Sequence, residues 1–255
     1  MAVYAVQDKK TIAHLFDGWD EAVIWSCLQD YMGLGYTDDL ASPRSAQISL
    51  GDFCFFAGSA NDDLIRHRPE NLHSNFAILV PQNREWEAAI DRCYKESATR
   101  RMRYATKKHC RAFDKAKLQH IVTKLSLQYA LKLIDSPLYK EILSLDWAKD
   151  FCRNYASYEE FQSYGLGIVI LKDEFIVSGA SSYASFRDGI EIEIITREDE
   201  RRKGLASACG AALILECLSR NWYPSWDAHN KGSLALAEKL GYHFDKEYSA
   251  YEIYY

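Results

Sequence analysis

Between residues 189 and 222 the chain changes period in one step, and that step limits what the surrounding sequence can build. Ile190 to Thr196 alternates apolar and polar side chains, the mark of a half-buried strand. Arg197-Glu198-Asp199-Glu200 is charged throughout. Arg201-Arg202-Lys203-Gly204-Leu205-Ala206 follows, and an apolar run with helical spacing continues to Asn221. The order is strand, tight basic loop, helix. Such a loop aims unpaired backbone N–H groups and the positive end of a helix dipole, roughly +0.5 charge, at one point. That is a seat for a phosphate or pyrophosphate. Gly204 lets backbone approach an anion, and Ala206 leaves room at the helix start. An ordinary strand-to-helix turn with solvated arginines uses the same residue types. It is not a Walker loop, since Gly-Lys-Ser/Thr is absent and Lys203 precedes the glycine. The Gly-x-Gly-x-x-Gly of a dinucleotide site is also missing. Arg201, Arg202 and Lys203 also supply long-range attraction for a polyphosphate.

Arg201-x-x-Gly204-x-Ala206 resembles the pyrophosphate loop of the GNAT N-acetyltransferases, Gln/Arg-x-x-Gly-x-Gly/Ala after a strand. Asn230-x-x-Ser233 and then Ala237-Glu238-Lys239-Leu240-Gly241-Tyr242 is similar to that family's closing helix and its Lys-Leu-Gly-Phe/Tyr ending. Motifs, order and spacing agree over about residues 126–255. Pro224-Ser225-Trp226-Asp227-Ala228-x-Asn230 also resembles a bacterial subgroup with an extra N-terminal half, which includes antibiotic self-resistance acetyltransferases. The fold so implied is α/β (α+β), a mixed central β-sheet flanked by helices. Residues 126–255 would be the acetyltransferase domain, and 1–125 a smaller α+β half, either a degenerate copy or a domain shaping the acceptor pocket.

At 255 residues the chain holds one large domain or two small ones. A net charge of −5 argues against nucleic acid as the principal partner. No apolar run approaches the ~20 residues that span a bilayer, and no secretory signal is read at the N-terminus. Cysteines 27, 54, 93, 110, 152, 209 and 217 are dispersed with no Cys-x-x-Cys, which reads as reduced thiols and not a disulfide frame or zinc site. A cytoplasmic enzyme is the expectation, with homo-oligomers open.

In chain order, Asp17 or Asp20 is expected to cap a helix running to about Met32 and ended by Gly33-Leu34-Gly35. Residues 46–57 read as a strand pair turning at Gly51-Asp52, 59–73 as loop, 76–80 as strand, 85–98 as helix and 101–106 as strand. Asp114 caps a predicted helix from Lys115. Strands are expected at 129–134, 167–171 and 176–186, with helices at 147–155 and 158–164 between the first two. A short β segment, 223–228, a helix at 231–240 and terminal strand material complete the chain.

Acetyl transfer to an amine needs a bound thioester, a deprotonated nucleophile and help for the leaving thiolate. The resemblance gives acetyl-CoA as co-substrate, with its pyrophosphate on Arg201, Arg202, Lys203, Gly204, Leu205 and Ala206. Pantetheine would run beside Ile194, Ile195 and Thr196, with Asn230 and Ser233 in further contact. Asn230 serves equally as a helix cap. Glu191 and Glu193, two apart on a strand, share a face opposite Ile190, Ile192 and Ile194. Either takes the proton of a small-molecule primary amine attacking the thioester directly, with Glu193 preferred because it lies nearer the loop; both are alternatively solvent-facing or hold a cationic amine. Counting back from the loop puts the family's glutamate near Ile190, which requires a shift or bulge. Ala237 stands seven after Asn230, where many members carry a tyrosine acid, and leaves the acid open among groups such as His229, Tyr242 and Tyr251. Another acyl-CoA donor, or a carrier-binding sensor without turnover, are the alternative readings. No metal is required: His14, His73, His109 and His120 lack ligand spacing. Cys209 and Cys217 read as core. The basic stretch Arg100 to Lys108 reads as a solvated strand face before an RNA contact.

Overall fold

The protein is described here by a computed structural model covering residues 2–108 and 113–255; His109 and Cys110 lie outside the described residues. Its strands are β1 (Tyr4–Val6), β2 (Leu34–Thr37), β3 (Ser45–Leu50), β4 (Phe53–Gly58), β5 (Phe76–Pro81), β6 (Thr99–Thr106), β7 (Ala130–Leu133), β8 (Gly167–Lys172), β9 (Phe175–Phe186), β10 (Gly189–Thr196), β11 (Tyr223–Ser225), β12 (Asp227–Ala228) and β13 (Phe244–Tyr254). Its helices are α1 (Lys10–Ala13), α2 (Ala22–Leu28), α3 (Asp62–Arg66), α4 (Arg84–Tyr94), α5 (Lys115–Thr123), α6 (Ser136–Ser144), α7 (Tyr158–Tyr164), α8 (Leu205–Ser219) and α9 (Lys231–Leu240). This is the mixed α/β architecture expected. The compact units are Met1–Arg103 with Glu247–Tyr255, and Tyr104–Lys246. A single cut at 125/126 does not describe them: Leu118 of α5 is buried in the same core as α8, and the chain passes between units within β6 and again within β13.

In the first unit β1 to β4 form an antiparallel meander, β4 then runs parallel to β5, and β5 pairs antiparallel with β13. A parallel neighbour cannot be reached by a hairpin, so a crossover containing α3 joins β4 to β5. That crossover falls in the stretch read as loop. Asn61 accepts the N–H groups of Asp63 and Leu64, and burial of Leu64 and Ile65 holds the short helix down. Neither Asp17 nor Asp20 caps a helix. Gly18 turns the chain at φ +75°, α2 starts at Ala22, and Leu34 and Gly35 enter β2. Arg100 bonds Ser249 and Glu87, Arg101 pairs with Glu252, and Arg103 lies over Phe53 at 4.8 Å, so these arginines are engaged within their own unit.

In the second unit the sheet runs β7-β8-β9-β10-β11, antiparallel up to β10 and parallel between β10 and β11. Asp173 and Glu174, both at positive φ, make the tight turn from β8 to β9. Residues 147–155 hold only a 3-10 turn at Lys149–Phe151, where a helix was predicted. Phe151 there is wholly buried and takes the Ser181 hydroxyl on its carbonyl at 2.7 Å, so tertiary packing overrides helical spacing. The crossover between β10 and β11 is α8. Its apolar residues lie all round because it packs against both the sheet and α5, leaving little surface for polar side chains. Leu205, Cys209, Leu213, Ile214 and Cys217 are buried there beside Ile190 and Ile192.

Candidate active site

Every helix of eight or more residues among the described residues is capped by its own side chain, except α8. Asn83, Asp114, Asp135 and Asn230 each accept first-turn N–H groups of α4, α5, α6 and α9. The longest, α8, begins at Gly204 with no side-chain cap. Arg202 at φ +61° and Gly204 at φ +83° both sit in the left-handed region, which turns successive N–H groups toward one concavity. A Cβ built on Gly204 meets nothing within 4 Å, so a side chain there would project into open space. The cavity at this point is about 430 Å³, lined by Ile194, Thr196, Glu200, Arg201, Arg202, Gly204, Leu205, Ala206, Ser207, His229, Gly232, Ser233 and Leu236.

Beside the loop the sheet forks. β10 pairs with β11 from Gly189 and Tyr223 only as far as Glu191 and Ser225; beyond Trp226 the outgoing chain turns away as β12 to pair with Ala105 and Tyr104 of β6. Ile192 to Thr196 keep β9 on one edge. On the other edge no strand pairs with them among the described residues. At the apex the backbone N–H of Asp227 donates to Glu191 Oε1 at 2.7 Å. Glu191 is 6% exposed, and its Oε2 is buried without a hydrogen-bond partner. Burial raises the Glu191 carboxyl above its usual range; nearby Lys108 opposes the shift and Asp227 adds to it. A β-bulge interrupts the β9–β10 register between Glu191 and Ile192, its extra residue being Tyr183 of β9, so the count along β10 back from the loop is unchanged.

The loop is held from beneath by Glu200, buried at 3% exposure. Lys172 and Lys203 contact its two oxygens at 2.8 Å each, and the Tyr129 hydroxyl donates at 2.7 Å. These three donors bring its carboxyl down to about 2. Lys203 is thereby turned from the main cavity, while Arg201 bonds the Thr196 carbonyl at 3.2 Å.

The cavity thus gathers Ile194, Thr196, Arg201, Arg202, Gly204, Leu205, Ala206 and Ser233 of the expected set. Ile195, Lys203, Asn230, Glu191 and Glu193 do not line it. Asn230 caps α9 through Ser233 N–H at 2.9 Å and contacts His229 Nε2 at 2.7 Å. Ser233 also receives the indole N–H of buried Trp226 at 3.1 Å. Glu193 is half-buried, opposite Ser181. Sequence reasoning missed Glu200, Ser207, Gly232 and Leu236, and named His229 without placing it. Helical spacing on α9 was the available signal for Gly232, Ser233 and Leu236. Ala237 is wholly buried in the core, so the α9 position facing the cavity is Leu236. Tyr242 is occupied too: buried, its phenol raised by desolvation, it donates to the Pro224 carbonyl at 2.6 Å.

The chemistry available is anion capture at a bare helix start, strand-like pairing along β10, and a buried carboxylate at the fork. Among the described residues no cluster of His, Cys, Asp or Glu is arranged to hold a metal ion, and no helix is long and apolar enough to cross a membrane. The chain belongs to the GNAT acetyltransferase family, whose model matches residues 13–251. It is 26% identical over 265 residues to an uncharacterized N-acetyltransferase, YdfB, of Bacillus subtilis (strain 168), covering 98% of this chain and 99% of that one. A crystal structure of a GCN5-related N-acetyltransferase-like protein from Streptococcus suis 89/1591 is similar at TM-score 0.91 and 47% identity, covering 96% of this chain and 98% of that one. A tandem GNAT protein from the clavulanic acid biosynthesis pathway shares the fold at TM-score 0.56 and 10% identity, over 99% and 98% of the two chains.

Proposed function

We propose that the protein transfers the acetyl group of acetyl-CoA to a primary amine of a small molecule by direct attack on the thioester. The observation that carries this reading is the pairing of an uncapped α8 with the open edge of β10, one suited to a pyrophosphate and the other to the amides of pantetheine. The fit is supported by the open space around Gly204 and by the arginines at the cavity.

In the proposed reaction the neutral amine forms a C–N bond to the thioester carbonyl carbon, the C–S bond breaks, and the amine proton passes to a carboxylate, directly or through water. Geometry favours Glu191 over Glu193 for that proton. Its Oε2 is buried at the fork and its affinity for a proton is raised by desolvation. Glu193, half-buried and on the same face, is suited to hold the amine's positive charge before deprotonation. A thiol of pKa ~8.5 leaves as thiolate without obligatory enzyme protonation, so Leu236 at the position facing the cavity is compatible with turnover.

The second reading is a carrier-binding module without catalysis, favoured by the absence of a hydroxyl at Leu236 and Ala237. Free-thiol release measured with acetyl-CoA and a panel of primary amines separates the two. Amine-dependent release supports the enzyme; acetyl-CoA binding without release for any amine supports the module.

The first unit is proposed to be a degenerate copy of the same fold. It repeats the meander, the parallel pair and the intervening helix, but α3 is closed to anions. Asn61 occupies its N–H groups, and Asp62 and Asp63 place negative charge in its first turn.

A further inference from the structure

Glu191 carries the proposed chemistry from surroundings that work against its charge. It is 6% exposed, burial raises its carboxyl, and the Asp227 carboxylate adds to the rise. A carboxyl that stays protonated takes no proton from an amine, so a base this deep depends on what offsets its burial. The cation that does so is Lys108, half-buried, whose Nζ donates to Ser225 Oγ at 2.9 Å. Ser225 is wholly buried and stands opposite Glu191 in the β10–β11 register, where paired residues present their side chains on one face. A hydroxyl has two acceptor lone pairs and one proton. With Lys108 on a lone pair, the Ser225 proton is left for a neighbouring acceptor, and this hydroxyl joins Lys108 in bringing the Glu191 carboxyl back down. Tyr242 also lies near Glu191, but its phenol is raised by burial and donates to the Pro224 carbonyl at 2.6 Å.

Lys108 reaches this place from 117 positions before Ser225, and the chain leading to it is pinned within the second unit. The Thr106 hydroxyl donates to the Trp226 carbonyl at 2.6 Å, and the Lys107 N–H donates to the His243 carbonyl at 2.9 Å. The Tyr223 hydroxyl donates to the Lys107 carbonyl at 3.2 Å. Three bonds on the two residues before Lys108 fix where its side chain starts. We propose that Lys108, acting through the Ser225 hydroxyl, is a positioning residue that keeps Glu191 charged for proton transfer from the acceptor amine. The proposal rests on the reading of Glu191 as the base. Lys108 precedes the stretch that carries the family motifs, so those motifs do not contain this control.

The test compares the full chain in wild type, Lys108→Met, Lys108→Arg, Ser225→Ala and Glu191→Gln, with cooperative melting as the check on folding. Two quantities are followed against pH: kcat/KM with acetyl-CoA and an active primary amine, and the carboxyl NMR resonance of Glu191, assigned by its absence from Glu191→Gln. Lys108→Met removes the charge and keeps the length of the side chain. Its resonance is expected to titrate at higher pH than in wild type, and the acidic limb of kcat/KM to move up with it while the alkaline plateau is kept. Lys108→Arg should restore both, Ser225→Ala should move both in the same direction as Lys108→Met, and the double variant should move them no further. A resonance or a limb that stays in place in either Lys108→Met or Ser225→Ala, with Glu191→Gln inactive, overturns this proposal alone. Full turnover in Glu191→Gln, or none in wild type with any amine, overturns the base reading and this role with it.

Discussion

Asp227 gives its backbone N–H to Glu191 Oε1 over 2.7 Å, and that bond spans the point where β10 and the outgoing chain part. A continued ladder would use a backbone carbonyl there; a side-chain carboxylate replaces it. The fork therefore ends on an ionisable group, and structure and proposed chemistry meet in one residue.

Glu191→Gln keeps an acceptor for Asp227 and removes the base. Turnover is expected to fall by about 10²–10⁴, with acetyl-CoA affinity unchanged. Glu193→Gln should cost less in turnover and more in apparent amine affinity. Because the folded carboxyl is raised, its contribution to stability is complete below the unfolded pKa of about 4.3 and is lost as pH rises through the folded value. The Gln variant should accordingly equal or exceed wild type in Tm at alkaline pH. Thermal scans with steady-state kinetics check both halves, and full turnover in Glu191→Gln removes it as base.

Glu200 has the opposite sign. Its carboxyl is depressed to about 2 by Lys172, Lys203 and Tyr129, so its stabilisation is present above the unfolded pKa of about 4.3 and is lost as pH falls toward 2. Glu200→Gln should lower Tm clearly at pH 7, and the gap from wild type should close on acidification. A gap that does not change with pH would mean that packing, not charge, carries the effect. The variant should also bind acetyl-CoA more weakly, because the loop loses its internal anchor.

Much of the site was legible because it rests on local rules. The alternation of β10, the glycine opening α8 and the Asn230 cap are each set by residues within a few positions. What was not legible is what distant residues decide. Glu200 reads as one charge in a charged run until β8 brings Lys172 to it. The proposed preference for Glu191 over Glu193 turns on where β11 leaves β10, which no period in either strand records. Likewise α3 was hidden in a polar stretch whose two apolar residues, Leu64 and Ile65, matter only once buried.

The reading of Cys209 and Cys217 as core has a chemical consequence. Both are buried, and desolvation pushes each thiol up to about 12, so almost no thiolate exists at neutral pH. Iodoacetamide should leave both unmodified in the native protein and alkylate them after denaturation, as read by peptide mass spectrometry. Rapid native labelling of either would contradict the packing of α8.

The shape of the loop predicts its own sensitivity. Gly204 stands at φ +83°, where a β-branched residue is strained, and it lines the cavity with open space where a Cβ would project. Strain alone should cost Gly204→Val about 1–3 kcal/mol of stability, and Gly204→Ala less. In both, affinity for acetyl-CoA should fall further than stability does.

Titration of acetyl-CoA into the full chain by isothermal calorimetry, wild type beside Gly204→Val, tests the central claim most directly. Saturable one-to-one binding by wild type, with loss of binding in a variant that still melts cooperatively, is the expected result. No binding heat from wild type, or equal affinity in the two proteins, would contradict it.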